Sequence, residues 1–312
     1  MSIDAPKRAP KITVVGSFAV GLTIRTPIIP VFGQTLFGSD FDLGPGGKGS
    51  NQAVGVARLG AQSSIVACLG QDELAGVATR LYEAEGVDTT HLHRTPDKAT
   101  GVGFIVLNAA GDNFIILDMG ANTLMDPALV DTARERIAGS DVVMSVLEIP
   151  VAAAARAMKL GREAGARTIL NPAPAITLPD GLLEHVDYLT PNESELRLLL
   201  GLRPDDPTAT HELALALRRR GVGTVIVTMG GEGALILNDE LDLVVPAPAV
   251  DVVDTTGAGD SFNAAFAVAI GEGLPLIEAV RWGVAAGAHA CTRLGVIPSM
   301  AHRDELMGML AK

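Results

Sequence analysis

The sequence predicts an α/β protein with a mostly parallel central sheet, helices on both faces and a small β-lid. Three observations carry that prediction. Short β-rich apolar runs alternate with helical segments along most of the chain. From Asp141 to Thr228 the order is β-α-β-α-β, which calls for right-handed crossovers and parallel strands. Two stretches, 18–43 and 100–118, hold no helical period and read as lid strands. At 312 residues, 48% hydrophobic and 19% charged, the chain can bury a substantial core and is not a disordered one.

The first ten residues read as a loose tail, and 11–312 as one domain with the lid built into it. The apolar run at Lys11–Val15 is the first expected strand. A glycine-rich turn then leads into a helix over Gly49–Leu59, followed by a strand at Ser64–Cys68 and a helix at Glu73–Glu85. Val102–Leu107 and Asn113–Leu117 flank the turn AAGD and read as a hairpin. A helix over Pro127–Ile137 precedes strand Val142–Val146, helix Val151–Gly165, strand Thr168–Leu170 and strand Tyr188–Thr190. Helices Glu193–Leu200 and His211–Arg220 lead to strands Thr224–Thr228, Ala234–Leu237 and Leu241–Val245. Helices at Ala258–Ile270, Leu276–Arg293 and Arg303–Leu310 complete the chain. In sheets of this kind, ligands bind beyond the carboxyl ends of the strands.

Composition narrows the partners. There are 36 acidic and 24 basic residues, for a net charge of −12. Such a surface repels a nucleic-acid backbone or an anionic membrane, but admits a small anion held by backbone amides and a few local cations. The longest uncharged apolar run, residues 12–24, contains two glycines and falls short of the ~20 residues a spanning helix needs. The basic stretch before it is followed by no small-residue cleavage site, so the run reads as a strand and not as a leader. Two cysteines, Cys68 and Cys291, with no CxxC, fit a reducing cytoplasm.

Four local patterns carry chemistry. In Asp254-Thr-Thr-Gly-Ala-Gly-Asp260, glycines permit a turn into a helix whose free amides and dipole bind anions. An acidic residue in an anion site has a task, and Asp260 beside Gly257, Ala258 and Gly259 suggests a base at a phosphoryl-transfer centre. By itself the same pattern also fits a plain Asp helix cap. Gly44-Pro-Gly-Gly47-Lys48-Gly-Ser-Asn51 lets a ligand approach the backbone and adds the Lys48 cation and the Asn51 amide, without Walker A spacing. It reads equally as a glycine-rich turn into a helix. Asn192 and Glu195 fit a capping box, and alternatively a Mg²⁺ and phosphate site bridged by water. Thr228-Met-Gly230-Gly231-Glu-Gly233 is a strand connection or the loop beneath a nucleotide.

Together and in this order, these segments resemble the ribokinase (PfkB-type) carbohydrate kinases. Gly47–Asn51 is similar to the first family signature and Asp254–Phe262 to the second. Thr100-Gly-Val102, Asn171-Pro-Ala-Pro-Ala175 and Thr190-Pro-Asn-Glu193 extend the likeness over nearly the whole chain. The resemblance implies a cytoplasmic ATP-dependent kinase acting on a sugar hydroxymethyl group. Asp260 matches the catalytic base, and Gly257, Ala258 and Gly259 the anion hole. Gly47, Lys48, Asn51 and Glu148 match sugar contacts. Asn192, Thr228, Gly230, Gly231, Gly233, Gly259 and Val284 match nucleotide contacts, and Glu195 a water-mediated Mg²⁺ contact. Asp254, Thr256, Ala290, Arg293, Gly295 and Ser299 match a monovalent-cation site, usually K⁺. Without the resemblance, Gly295 reads as the residue closing the preceding helix.

One departure stands out. Where these kinases usually carry an Asn and, two residues on, an Asp gripping sugar hydroxyls, this chain has Ala19 and Gly21. The acceptor is therefore expected to be a different sugar, or one held from another wall by Thr23 or Arg25. The alternatives are a nucleoside kinase and a non-catalytic sugar-binding regulator on the same fold. Isolated lid strands would expose an apolar face, which makes a homodimer through the lid a further expectation. His91 and His93 read as surface residues with no third ligand, His289 as packing, Arg218–Arg220 as a helix-end cluster, and Met300, Met307 and Met309 as core filler.

Overall fold

A computed structural model describes residues 8–108 and 113–311. Two sheets are present. In the larger, β1 (Lys11–Val15), β4 (Gln62–Gly70), β5 (Asp88–Thr95), β8 (Val142–Val146), β9 (Arg167–Asn171), β10 (Tyr188–Leu189) and β11 (Thr224–Thr228) run parallel. β12 (Ala234–Leu237) and β13 (Asp242–Val245) add antiparallel at one edge, giving the order β13-β12-β11-β10-β9-β8-β1-β4-β5. The smaller sheet is β3 (Ser39–Gly46), β2 (Ala19–Thr26), β6 (Gly101–Asn108) and β7 (Asn113–Asp118), in that spatial order.

Strand alternation builds two cores. Ile12, Val14, Ile65, Ala67, Met144 and Ile226 face one side, against α1 (Lys48–Arg58), α2 (Ala75–Glu85), α8 (Ala258–Gly271), α9 (Leu276–Ala290) and α11 (Arg303–Leu310). Val15, Val66, Val143 and Val225 face the other, against α3 (Pro127–Asp131), α4 (Arg134–Ala138), α5 (Val151–Glu163), α6 (Glu193–Leu199) and α7 (Thr210–Arg218). Strands buried on both faces by crossover helices read as near-continuous apolar runs, which is why they are visible in the sequence. Among the described residues, no helix is long and apolar enough to cross a membrane.

Four elements differ from the sequence reading, each for a local reason. β5 was not expected: DTTHLHRT has one aliphatic residue and lies at the sheet edge, so no hydrophobic pattern betrays it. The helix expected over Pro127–Ile137 is broken into α3 and α4. The Thr132 hydroxyl bonds back to the Leu129 carbonyl at 2.7 Å and competes with the helical ladder. The helix expected to reach Arg293 stops at Ala290, and Gly295 does not close it. Gly295 (φ 80°) instead opens the short helix α10 (Val296–Ser299). Gly44–Gly46, read as part of a turn, belong to strand β3.

Of the tail expected over 1–10, residues 1–7 lie outside the described residues. Arg8 bonds the Asp141 carboxylate at 2.8 Å and 3.0 Å, and Pro10 is buried. The expected AAGD turn, residues 109–112, is also outside them.

Candidate active site

A row of polar residues stands where the parallel strands end. Ser17 follows β1 and Glu148 follows β8; Asn171 ends β9, Thr190 follows β10 and Thr228 ends β11. The N-termini of α1 and α8 arrive at the same edge. Glycine is required at both starts. Gly47 (φ 89°) precedes α1, where an added Cβ would stand 2.8 Å from the Ala19 nitrogen. Gly257 (φ 84°) precedes α8, where one would stand 2.6 Å from Val296 of α10.

These elements enclose a cavity of about 180 Å³. Lys48, Asn171, Thr190, Asn192, Glu195, Thr228, Gly257, Gly259, Asp260 and Asn263 line it, with Ala173 and Thr255. Asp260 is 5% exposed, and each of its oxygens accepts a side-chain amide: Oδ2 from Asn51 at 2.8 Å, Oδ1 from Gln52 at 3.0 Å. Among the described residues, the Gly259 and Asp260 backbone N–H groups have no acceptor, as expected in a first helical turn. A wider groove of about 380 Å³ runs along α5 near Pro127 and His185 and shares no residue with this cavity.

Lys48 sits among carboxylates. The Asp260 charge raises its ammonium above the ordinary lysine value; burial opposes the rise, and Glu148 and Glu195 add to it. The Lys48 backbone N–H donates to Glu148 Oε2 at 2.7 Å, and the Ser17 hydroxyl donates to the same oxygen at 2.5 Å. Burial nevertheless pushes the Glu148 carboxyl up, with the Asp260 charge a lesser contribution in the same direction. Burial likewise raises Glu195.

Asn192 and Glu195 form the capping box the sequence suggests, and both also line the cavity. Asn192 Oδ1 accepts the Glu195 N–H at 2.8 Å, and Glu195 Oε2 accepts the Asn192 N–H at 2.9 Å. That leaves the Asn192 NH₂ and Glu195 Oε1 available toward the cavity. Of the Thr228–Gly233 segment, only Thr228 reaches it; Gly230, Gly231 and Gly233 lie in the connection between β11 and β12. Val284 is 7% exposed, within the core on α9, and does not line the cavity.

The expected cation-site residues converge only in part. Asp254 Oδ1 accepts the Thr256 N–H at 2.9 Å and its hydroxyl at 2.7 Å, and Oδ2 accepts the Gly295 N–H at 3.3 Å. Burial raises Asp254, but these donors outweigh it and hold the carboxyl below its ordinary range. Ser299 donates its N–H to the Gly295 carbonyl at 3.2 Å. Ala290 is at the buried end of α9, and the Arg293 side chain turns away to Glu305 at 2.8 Å.

Several site residues escaped assignment from sequence: Gln52, Asn171, Thr190 and Asn263 around Asp260, and Ser17 on Glu148. Position at or just past a strand end picks out Ser17, Asn171 and Thr190, and the family likeness covers the segments that hold the last two. His91 and His93 lie on edge strand β5, His93 Nε2 meeting the Thr132 hydroxyl at 3.1 Å. Among the described residues, no group of three or more His, Cys, Asp or Glu could hold a metal ion.

The parallel sheet, the lid and the basic, acidic and amide groups at the strand ends make a site suited to an anion beside a buried carboxylate. Comparison makes the assignment specific: residues 9–303 match the model of the pfkB family of carbohydrate kinases, and the chain belongs to that family. It is 34% identical over 299 residues to a ribokinase of Haemophilus influenzae, covering 96% of this chain and 98% of the relative. It is 36% identical to a deoxyribokinase of Salmonella typhi, covering 82% of this chain and 84% of the relative. The solved structure of Arabidopsis thaliana ribokinase complexed with ribose and ATP matches with a TM-score of 0.89. Its identity is 31%, covering 97% of this chain and 99% of that one.

Proposed function

We propose that this kinase moves the γ-phosphate of ATP to a hydroxymethyl group of a sugar that is bulkier than ribose or held differently. The reading is carried by Asp260: a buried carboxylate, aimed by two amides, in one cavity with the unpaired amides that open α8. Asp260 takes the proton of the attacking hydroxyl while the Gly257, Ala258 and Gly259 turn stabilises charge on the transferring phosphoryl group. Lys48 draws the phosphoryl oxygens, and Asn51 and Glu148 hold acceptor hydroxyls. Asn192 and Thr228 face the nucleotide phosphates. The lid covers the acceptor and excludes water.

Mg²⁺ fits this donor set. A hard cation that keeps most of its waters needs one or two carboxylates beside substrate phosphates, and Glu195 Oε1 supplies one. When bound, the ion neutralises phosphate charge. A monovalent cation, K⁺, fits beside Asp254 and the Gly295 turn, where α10 already buttresses Gly257. A cytoplasmic location accords with two free cysteines, one of them buried. Phe41, Leu43, Phe104, Phe114 and Ile116 are exposed on one lid face, and a second copy of the chain covers them in a homodimer.

The acceptor reading rests on the other lid face. Gly46–Ala19–Gly101 and Gly44–Gly21–Gly103 are successive cross-strand rows, bare of side chains beyond the Ala19 methyl until Leu117 of β7, which leans over Gly103. A Cβ at Gly21 would meet nothing closer than 3.7 Å, and at Gly44 nothing closer than 3.5 Å, so neither glycine is demanded by crowding. Glycine inside a strand costs about 0.5–1 kcal/mol against alanine and often marks close approach of a ligand. The first polar pair along this face is Thr23 and Asp42, roughly 7 Å beyond the bare row by strand rise. Asp42 leans back over Gly44. A longer acceptor, including a nucleoside, reaches that pair. ADP release measured over pentoses, hexoses, sugar acids and nucleosides tests the reading. A larger acceptor should lead; ribose leading by a wide margin refutes the acceptor assignment, and no ADP from any of them refutes the kinase mechanism.

A further inference from the structure

Behind Asp260 the hydrogen bonds close into a ring. Gln52 Nε2 donates to Asp260 Oδ1 at 3.0 Å and to Asn171 Oδ1 at 3.1 Å. Asn171 Nδ2 donates to the Thr190 carbonyl at 3.2 Å, and the Thr190 hydroxyl donates to Asn263 Oδ1 at 2.6 Å. Asn263 Nδ2 then donates to the carbonyl of Gly259, the residue before Asp260, at 2.8 Å. Every side chain in the ring is at most 6% exposed.

The polarity of this ring is forced. A backbone carbonyl only accepts, so Asn171 and Asn263 must point their NH₂ groups at Thr190 and Gly259. Their oxygens are thereby turned to Gln52 and Thr190 as acceptors. Gln52 must then present nitrogen, and its second N–H falls on Asp260. Its own Oε1 is buried with no partner among the described residues, so the side chain tolerates an unmet acceptor to keep both donors in place.

We propose that Gln52 is a positioning residue that fixes the Asp260 carboxylate as a pure acceptor and ties it to the glycine turn. This rests on Asp260 being the base, as argued above. The ring leaves Asp260 through Gln52 and returns through Gly259, so base and phosphoryl-binding turn are braced as one unit against β9 and β10. Asn51 holds the other oxygen. A carboxylate with one oxygen pinned on each side has a single orientation toward an incoming hydroxyl.

The test compares Gln52→Met, Gln52→Glu and Asp260→Asn with the parent in steady-state kinetics across pH. Gln52→Met keeps length without donors; kcat should fall about 100-fold, the scale of a 1 Å misplacement. KM for ATP and for sugar should stay within about threefold, because binding contacts are untouched. Gln52→Glu should be weaker still near neutral pH, where two carboxylates face each other. It should recover in part as pH is lowered, because its protonated form regains one of the two donors. A purely structural role predicts no such recovery.

Gln52→Met within threefold of the parent in kcat, beside an inactive Asp260→Asn, overturns the role of Gln52 alone. A loss carried by KM overturns it as well. Asp260→Asn within tenfold of the parent overturns the base and this proposal together. If Gln52→Met does not fold, Thr190→Val opens the ring at its far side and gives the same reading: kcat down about tenfold at unchanged KM supports the brace, and unchanged kcat overturns it.

Discussion

Replacing Asp260 with Asn is the sharpest perturbation this site offers, because its structural cost can be separated from its chemical cost. The substituted amide keeps the size of the carboxylate but exchanges one acceptor for a donor. At Oδ1 the Gln52 donor is fixed by the ring, so the new carbonyl oxygen must sit there. The new NH₂ then faces Asn51, whose Oδ1 is buried without a partner. Asn51 can turn its amide over and accept. Every bond to residue 260 is therefore re-made, and the fold should lose no more than about 1 kcal/mol, one neutral hydrogen bond's worth. Chemistry fares differently. The proton acceptor is gone, worth about 10²–10⁴-fold in a typical general-base step, and orientation of the hydroxyl adds to it. Coupled measurement of ADP formation should show kcat reduced by three or more orders of magnitude. Calorimetric titration should show ATP affinity nearly unchanged, and thermal unfolding a shift of a few degrees at most. The variant also removes the largest influence raising Lys48, so the ammonium should titrate at lower pH than in the parent, readable by NMR of methylated lysine. Turnover within tenfold of the parent would refute the argument.

Two further outcomes follow from other parts of the molecule. Gly21→Asp should fold, since the strand has room for the side chain and no left-handed backbone there. It should raise kcat/KM for ribose at least tenfold, the value of one charged hydrogen bond of about 1.5–3 kcal/mol, while lowering it for the native acceptor. No gain on any small pentose would show that the bare lid row does not set specificity. Asp72 braces the lid: it accepts the Thr100 N–H at 2.7 Å and hydroxyl at 2.8 Å ahead of β6, and the Ala75 N–H at 3.0 Å at the start of α2. Burial raises its carboxyl, but these donors outweigh that and leave it below the ordinary value of 3.8. A depressed carboxyl stabilises the fold above its ordinary value and loses that contribution as pH falls through the lower folded one. Asp72→Asn should therefore cost about 1–3 kcal/mol near neutral pH, with the gap to the parent closing below the ordinary carboxylate range. Thermal unfolding from pH 7 to pH 3 checks it, and a gap of constant size contradicts it.

Much of the fold was legible because its strands are buried on both faces. TVIVT and VVMSV have to be apolar throughout, and the helices between them supply the alternation. β5 was not legible, because an edge strand needs no apolar face. The break between α3 and α4 depends on where one threonine hydroxyl turns, which the sequence leaves open. The site divides the same way. Asp260, Lys48 and the glycine turns are contiguous motifs, readable as helix starts with chemistry attached. The ring behind Asp260 joins residues 208, 119 and 73 positions apart, and no local pattern encodes such pairs. The Asn192–Glu195 motif is legible both ways, as a cap and as a candidate site. Asn192 and Glu195 satisfy each other's backbone groups, yet each keeps polar atoms for the cavity.

The charge pattern of the cavity bears on the ligand it draws. Among the described lining residues Lys48 is the one cation, and it faces the Asp260 and Glu195 carboxylates with Glu148 close behind. In that setting the Asp260 charge holds the ammonium above the ordinary lysine value, so it stays protonated. A nucleoside triphosphate brings a stronger, more concentrated negative charge. In the proposed reaction the ammonium meets that charge together with the amides that open α8. Asp260 has two neutral amide donors, which aim it without cancelling its charge. In the proposed reaction cation and base are therefore separate side chains, Lys48 for the phosphate charge and Asp260 for the hydroxyl.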